Sequence, residues 1–217
     1  MARIVLGVTG SVAALRAPAL YAGLRDLGHA VRVVATEPAL HFFDPASLPP
    51  DPADPLVGPV FRDQDEWPEA RWGREDPVLH VEFRRWADVL LVAPLDANTL
   101  AKFAAGMADN FLTCLFRAWD FGKPVVLAPA MNTLMWDSPV TRRQLGQILL
   151  DRGAGDPITP WELADAPAVF ARHAPGIALV APGSKRLACG DVGVGAMAEV
   201  APILAAVVHQ LDGRATT

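Results

Sequence analysis

Cysteine is almost absent from this sequence: among 217 residues there are two, Cys114 and Cys189, with no CxxC and no Cys/His pair at metal-ligand spacing. That scarcity argues against a zinc site or a disulfide framework and fits a reducing compartment. Runs of lysine and arginine are missing too. With 19 basic residues against 24 acidic ones and a formal net charge of −5, no nucleic-acid partner is expected. No stretch approaches the roughly 18 consecutive apolar residues of a membrane span. Near the start, Thr9, Gly10, Ser11 and Arg16 break up what would otherwise imitate a signal peptide. The expectation is a soluble cytoplasmic protein with no metal and no membrane partner.

Apolar residues, by contrast, make up 52% of the chain, and many fall in short β-branched runs. Ile4-Val5-Leu6-Gly7-Val8, Val31-Arg32-Val33-Val34-Ala35, Val89-Leu90-Leu91-Val92-Ala93, Pro124-Val125-Val126-Leu127-Ala128 and Ile177-Ala178-Leu179-Val180 read as strands covered on both faces. Segments 11–27, 97–105, 110–120 and 139–152 read as helices, with Gly28 and Gly153 where a helix C-terminal glycine belongs. Such alternation predicts an α/β fold of three layers: a Rossmann-like parallel sheet with helices on both faces. Ligands then gather at the carboxyl ends of the strands. The length suits a single domain over 1–217. Proline-rich 45–59 is expected to be irregular, and 155–176 reads as an insertion.

The strand ends carry the polar residues. After the first strand, Ser11 can cap a helix while Gly10 lets backbone N–H groups approach a phosphate. A plain tight connection remains the other reading, because neither GxGxxG nor a P-loop lysine is present. Thr36 follows the second strand. Asp96, Asn98 and Thr99 cluster at the next helix start, as ligands or as caps, and Asn132 follows the fourth strand. His80 opens an amphipathic helix, where it is either structural or a base suited to neutral pH. Cys114 lies in an apolar helical run and reads as core. Cys189 differs. It sits in a loop, 183–199, punctuated by Gly190, Gly193 and Gly195, the behaviour of a segment that folds over a substrate. Lys185 and Arg186 beside it would favour the thiolate and could hold an anion.

Taken together, these segments make the chain resemble the flavin-containing cysteine decarboxylases over nearly its whole length. The resemblance rests on Gly10-Ser11-Val12-Ala13, the 76–86 segment around His80, Leu95-Asp96-Ala97-Asn98-Thr99-Leu100-Ala101-Lys102, Asp109-Asn110-Phe111-Leu112-Thr113-Cys114, Pro129-Ala130-Met131-Asn132 through Trp136, and the loop 185–199. Within that family it points to the branch acting on 4′-phosphopantothenoylcysteine in coenzyme A biosynthesis. The resemblance implies a flavodoxin-like fold binding FMN, with Gly10, Ser11, Val12, Thr36, Asp96, Ala97, Asn98, Thr99 and Ala130 as cofactor contacts. It further implies His80 as the catalytic base, Asn132 as the holder of the substrate carboxylate, and Cys189 as the acid. Lys185, Arg186, Leu187, Ala188 and Met197 would complete the substrate clamp.

In that chemistry the cysteinyl thiol is first oxidised to a thioaldehyde, into which the electrons of the departing CO₂ can flow, and the resulting enethiol is then reduced. The resemblance also implies a homotrimer in which His80 reaches the FMN bound mainly by a neighbouring chain; six tryptophans, read as exposed, would accommodate such an interface. It suggests a stand-alone decarboxylase. Three rivals share the fold: a peptidyl-cysteine decarboxylase of the lantibiotic-modifying type, disfavoured by Ala188-Cys189-Gly190-Asp191, a flavin prenyltransferase, disfavoured by the joint presence of His80 and Cys189, and a non-enzymatic flavoprotein regulator.

Overall fold

The computed structural model describes residues 1–50, 59–68, 71, 73–153, 161–186 and 192–213. The first half runs β1 (Arg3–Val8), a 3₁₀ turn (Val12–Arg16), α1 (Ala17–Asp26), β2 (Ala30–Ala35), β3 (Val60–Phe61), α2 (Asp63–Glu66), α3 (Leu79–Trp86), β4 (Val89–Leu95) and α4 (Ala97–Ala105). It continues through α5 (Phe111–Arg117), β5 (Val125–Pro129), α6 (Thr133–Trp136), α7 (Pro139–Asp151), α8 (Ala166–His173), β6 (Ile177–Leu179), β7 (Gly183–Arg186), β8 (Val192–Ala196) and α9 (Val200–Asp212). None of the described helices is long and apolar enough to cross a membrane.

Six parallel strands pair in the order β3-β2-β1-β4-β5-β6, the parallel sheet that the apolar runs predict. Alternate side chains of each strand feed opposite layers, as the pleat requires. Ile4, Leu6 and Val8 pack with α1 and α9, through Leu20, Tyr21, Ile203 and Val207. Val5, Leu90 and Val92 pack on the other face with Phe83, Phe103, Phe111, Leu145 and Phe170. Both faces are therefore apolar and the polar chemistry is left to the strand ends.

The segment expected as an insertion, 155–176, is partly architecture. Its described portion carries α8, with Ala166 and Phe170 fully buried. The crossover from β5 to β6 consists of α7 followed by α8, both packed in the same core layer. Its proline lies in the first turn, where no intrahelical N–H is lost. Within 45–59, Pro45–Ser47 forms a 3₁₀ turn and Pro49 accepts a hydrogen bond from the Tyr21 hydroxyl at 2.9 Å. The short β3 and the terminal α9 are additions to the expected elements.

The glycine-rich loop is an antiparallel hairpin of β7 and β8. Its tip, 187–191, which includes Leu187, Ala188 and Cys189, lies outside the described residues. Gly195 has φ +145° and a Cβ there would collide with the Met131 carbonyl oxygen. The Met131 N–H donates to the Gly195 carbonyl at 2.9 Å. Only glycine allows the outgoing strand to press this closely on the segment after β5.

Strand order reverses between β1 and β4, so the ligand crevice of such a sheet opens at their carboxyl ends. Thr9 spans that point. Fully buried, its hydroxyl donates to the Pro94 carbonyl at 2.8 Å and accepts from the Asp96 N–H at 2.8 Å. Thr9→Val keeps the shape and removes both bonds. It should lower the unfolding free energy by about 1–3 kcal/mol, the usual cost of stranding a buried backbone group, measured by urea denaturation; an unchanged midpoint would show the bridge to be dispensable.

Candidate active site

At the carboxyl edge, the turn after β1 is built tightly. Ser11 is the N-cap of the 3₁₀ turn, its Oγ accepting from the Ala13 N–H at 3.3 Å, while its own N–H donates to Thr9. A Cβ on Gly10 would stand 2.6 Å from the Pro38 Cβ and 3.3 Å from Asp96 Oδ2. Gly10, the turn after β2 and the Asp96 side chain thus converge on one spot where a larger residue has no room. Asp96 caps α4, its Oδ1 accepting from the Thr99 N–H at 2.7 Å. Thr99 is buried, Ala97 half-buried and Asn98 exposed, and Val12 stands on the outer side of the turn.

Thr36, 5% exposed at the end of β2, carries a buried hydroxyl oxygen with no hydrogen-bond partner among the described residues. A buried polar atom left this way is costly unless a ligand completes it. On the other side, the buried Ala130 donates its N–H to Leu95 at 2.9 Å, and Asn132 caps α6, its Oδ1 accepting from the Leu134 N–H at 2.8 Å. The glycine cradle, the orphaned hydroxyl and the switch-point crevice together fit the phosphate and hydroxyl groups of FMN. The structure gathers Gly10, Ser11, Thr36, Asp96, Thr99, Ala130 and Asn132 at this edge.

His80 belongs to a second group. It is in the first turn of α3, whose N-cap residue Val78 supplies no side-chain bond. Glu66, at the end of α2, does so from a distance: its Oε2 accepts the His80 backbone N–H at 2.8 Å, and its Oε1 lies 2.6 Å from the imidazole Nδ1. The Glu66 side chain is 3% exposed and that of His80 24%. Neighbouring Asp63 accepts from the Phe111 N–H at 2.8 Å, adding to the cap that Asn110 supplies to α5. Its carboxyl is held above the usual range, first by burial and then by Glu37 and Asp109. Asp109 is pulled below that range by its 2.7 Å bond to Lys102.

Cys114 is buried, and burial, assisted by the carboxylates of Glu66, Asp109 and Asp63, pushes its thiol up. It is the core residue that its apolar surroundings suggest, and a poor nucleophile.

Of the clamp residues, Lys185 and Arg186 fall on β7, opposite Gly193 and Val192. Met197, 3% exposed, is packed in the core layer shared with α1 and α9. Glu199, the N-cap residue of α9, forms a bidentate pair with Arg16 at 2.6 and 3.1 Å, joining the clamp's exit to the turn after β1. The tryptophans correct one expectation. Trp119 and Trp136 are 4% and 3% exposed, and Trp67 alone among the described ones is half exposed. Indole buries a large apolar area if its N–H finds an acceptor, as Trp119 does on the Lys123 carbonyl at 3.2 Å.

Thr9 and Glu66 were not visible as site residues. Thr9 reads as an ordinary turn residue, and Glu66 meets His80 across a loop with no periodicity to announce the pairing.

The family model described as Flavoprotein matches residues 1–212. Phosphopantothenoylcysteine decarboxylase of Mus musculus is 46% identical over 206 residues, covering 94% of this chain and 85% of the mouse protein. Among solved structures, a PPC decarboxylase cysteine-to-serine mutant complexed with pantothenoylaminoethenethiol superposes with a TM-score of 0.76 at 42% identity, covering 97% of this chain and 98% of that one. The FMN binding protein AtHal3 superposes with a TM-score of 0.73 at 43% identity, covering 98% and 97%. By its sheet, its crevice and these matches, the chain belongs to the Flavoprotein family, beside the phosphopantothenoylcysteine decarboxylases.

Proposed function

We propose that this protein is an FMN-dependent decarboxylase that converts 4′-phosphopantothenoylcysteine to 4′-phosphopantetheine in coenzyme A biosynthesis. The observation that carries this reading is the bond from the Met131 N–H to the Gly195 carbonyl. It ties the strand leaving the cysteine loop to the segment bearing Asn132, which supports a clamp that closes over a carboxylate-holding residue.

When bound, FMN supplies a two-electron acceptor that later returns the same electrons, so the overall reaction is redox-neutral. The residues that would hold it are Gly10, Ser11, Val12, Thr36, Asp96, Ala97, Asn98, Thr99 and Ala130. His80 takes the proton released when the substrate thiol is oxidised. Asn132 orients the carboxylate so that the breaking C–C bond stands perpendicular to the plane of the new C=S group and its electrons can enter that π system. Lys185 and Arg186 offer charge to the substrate's phosphate, Leu187, Ala188 and Met197 shape the clamp, and Cys189 gives the proton that completes reduction of the enethiol.

We further propose a cytoplasmic homotrimer in which His80 serves the FMN of a neighbouring chain. Exposed apolar residues flank both halves of the site, Trp67 and Val78 beside the His80 group and Leu134 and Met135 beside Asn132. Such rims suit an interface between copies.

The two phases should separate by mutation. His80→Asn should retain FMN and slow flavin reduction by substrate about 10²-fold or more. Cys189→Ser should reduce its flavin normally but stall afterwards, since a hydroxyl is a far poorer acid than a thiol. Stopped-flow absorbance and mass spectrometry read both, the second variant accumulating a product lighter than substrate by CO₂ and two hydrogens. The complex of a relative's cysteine-to-serine mutant with pantothenoylaminoethenethiol supports that expectation. Native turnover by either variant would remove that residue from the mechanism. For the assembly, light scattering should report three chains per particle, and a fully active monomer would overturn the trimer.

A further inference from the structure

Both carboxylate oxygens of Glu66 are spent on one residue, at 2.8 Å from the His80 backbone nitrogen and 2.6 Å from its Nδ1. An ionised carboxylate only accepts hydrogen bonds. Nδ1 must then carry the ring hydrogen, and the lone pair of the neutral imidazole is confined to Nε2. The side chain is 3% exposed, so water does not compete for either oxygen. The same carboxylate fixes where α3 begins, because Val78 contributes no side-chain cap.

We propose that Glu66 is a positioning residue for the decarboxylase, holding His80 in the Nδ1–H tautomer with Nε2 presented as the base. This rests on the reading of His80 as the base. The geometry explains why a glutamate is needed and an amide of the same shape would not serve. In Glu66→Gln the single amide oxygen would still accept the backbone N–H, leaving the NH₂ group to face Nδ1. That ring nitrogen would become an acceptor, the hydrogen would move to Nε2, and the base would be lost with the fold intact.

The test uses the full-length, FMN-loaded protein with ¹⁵N-labelled histidine, at a pH where the imidazoles are neutral. The ¹⁵N shifts should assign His80 to the Nδ1–H tautomer in the native protein and to Nε2–H in Glu66→Gln. The variant should keep its thermal midpoint, its FMN and its KM, while flavin reduction by substrate falls about 10²-fold or more, the scale on which positioned bases act. An Nε2–H tautomer in the native protein overturns the proposal regardless of how the variant folds. So does a variant that loses stability or FMN while its tautomer stays native, because Glu66 would then be a helix cap alone. If the tautomer switches as expected but His80→Asn still reduces flavin at the native rate, Glu66 positions His80 and the assignment of the base is what fails.

Discussion

The buried hydroxyl of Thr9 joins the ends of β1 and β4 at the candidate site. Parallel strands buried on both faces leave no polar surface within the sheet, so ligand chemistry is driven to the carboxyl edge. There the chain must part, since the helices that follow the parallel strands β1 and β4, α1 and α4, pack on opposite faces of the sheet. Thr9 bridges that parting by bonding to Pro94 and Asp96 together. With Asp96 fixed, α4 is capped and the side chain that borders Gly10 is held; with Pro94 fixed, the end of β4 stays beside β1. The cradle around Gly10 borders Asp96, whose backbone N–H this buried hydroxyl accepts.

Away from that edge, the same economy of buried acceptors recurs at a second place. Asp63 and Glu66, both on the four-residue α2, each cap a longer helix that comes later in the chain, α5 and α3 respectively. Carboxylates taken out of water need hydrogen-bond donors, and each of these two accepts one backbone N–H. Two helices are thereby oriented by a segment too short to form a layer of its own. The imidazole of His80 uses the second oxygen of Glu66.

Much of this was legible in the sequence because the physics was local. Continuous apolar runs announced β1, β2, β4, β5 and β6, and Ser11 announced its own cap. The helix α8 was hidden because proline and alanine make 155–176 look like an excursion, although a proline in the first turn is compatible with a helix. The two residues of β3 are too few to leave a pattern, and the pairing of β7 with β8 was masked by glycines that are present to let the hairpin approach Met131 and Thr133. The long-range bonds of Thr9 and Glu66 have no sequence signature, since their partners are set by the folded sheet. The family resemblance supplied His80 and Asn132 as site residues; the carboxylate behind His80 came only from the coordinates.

Turnover of the proposed substrate is the most direct test. FMN-loaded protein supplied with 4′-phosphopantothenoylcysteine should release one CO₂ for each substrate consumed and yield 4′-phosphopantetheine, with no external oxidant or reductant required. No CO₂ from that substrate, or release only from a peptide bearing a C-terminal cysteine, would contradict it.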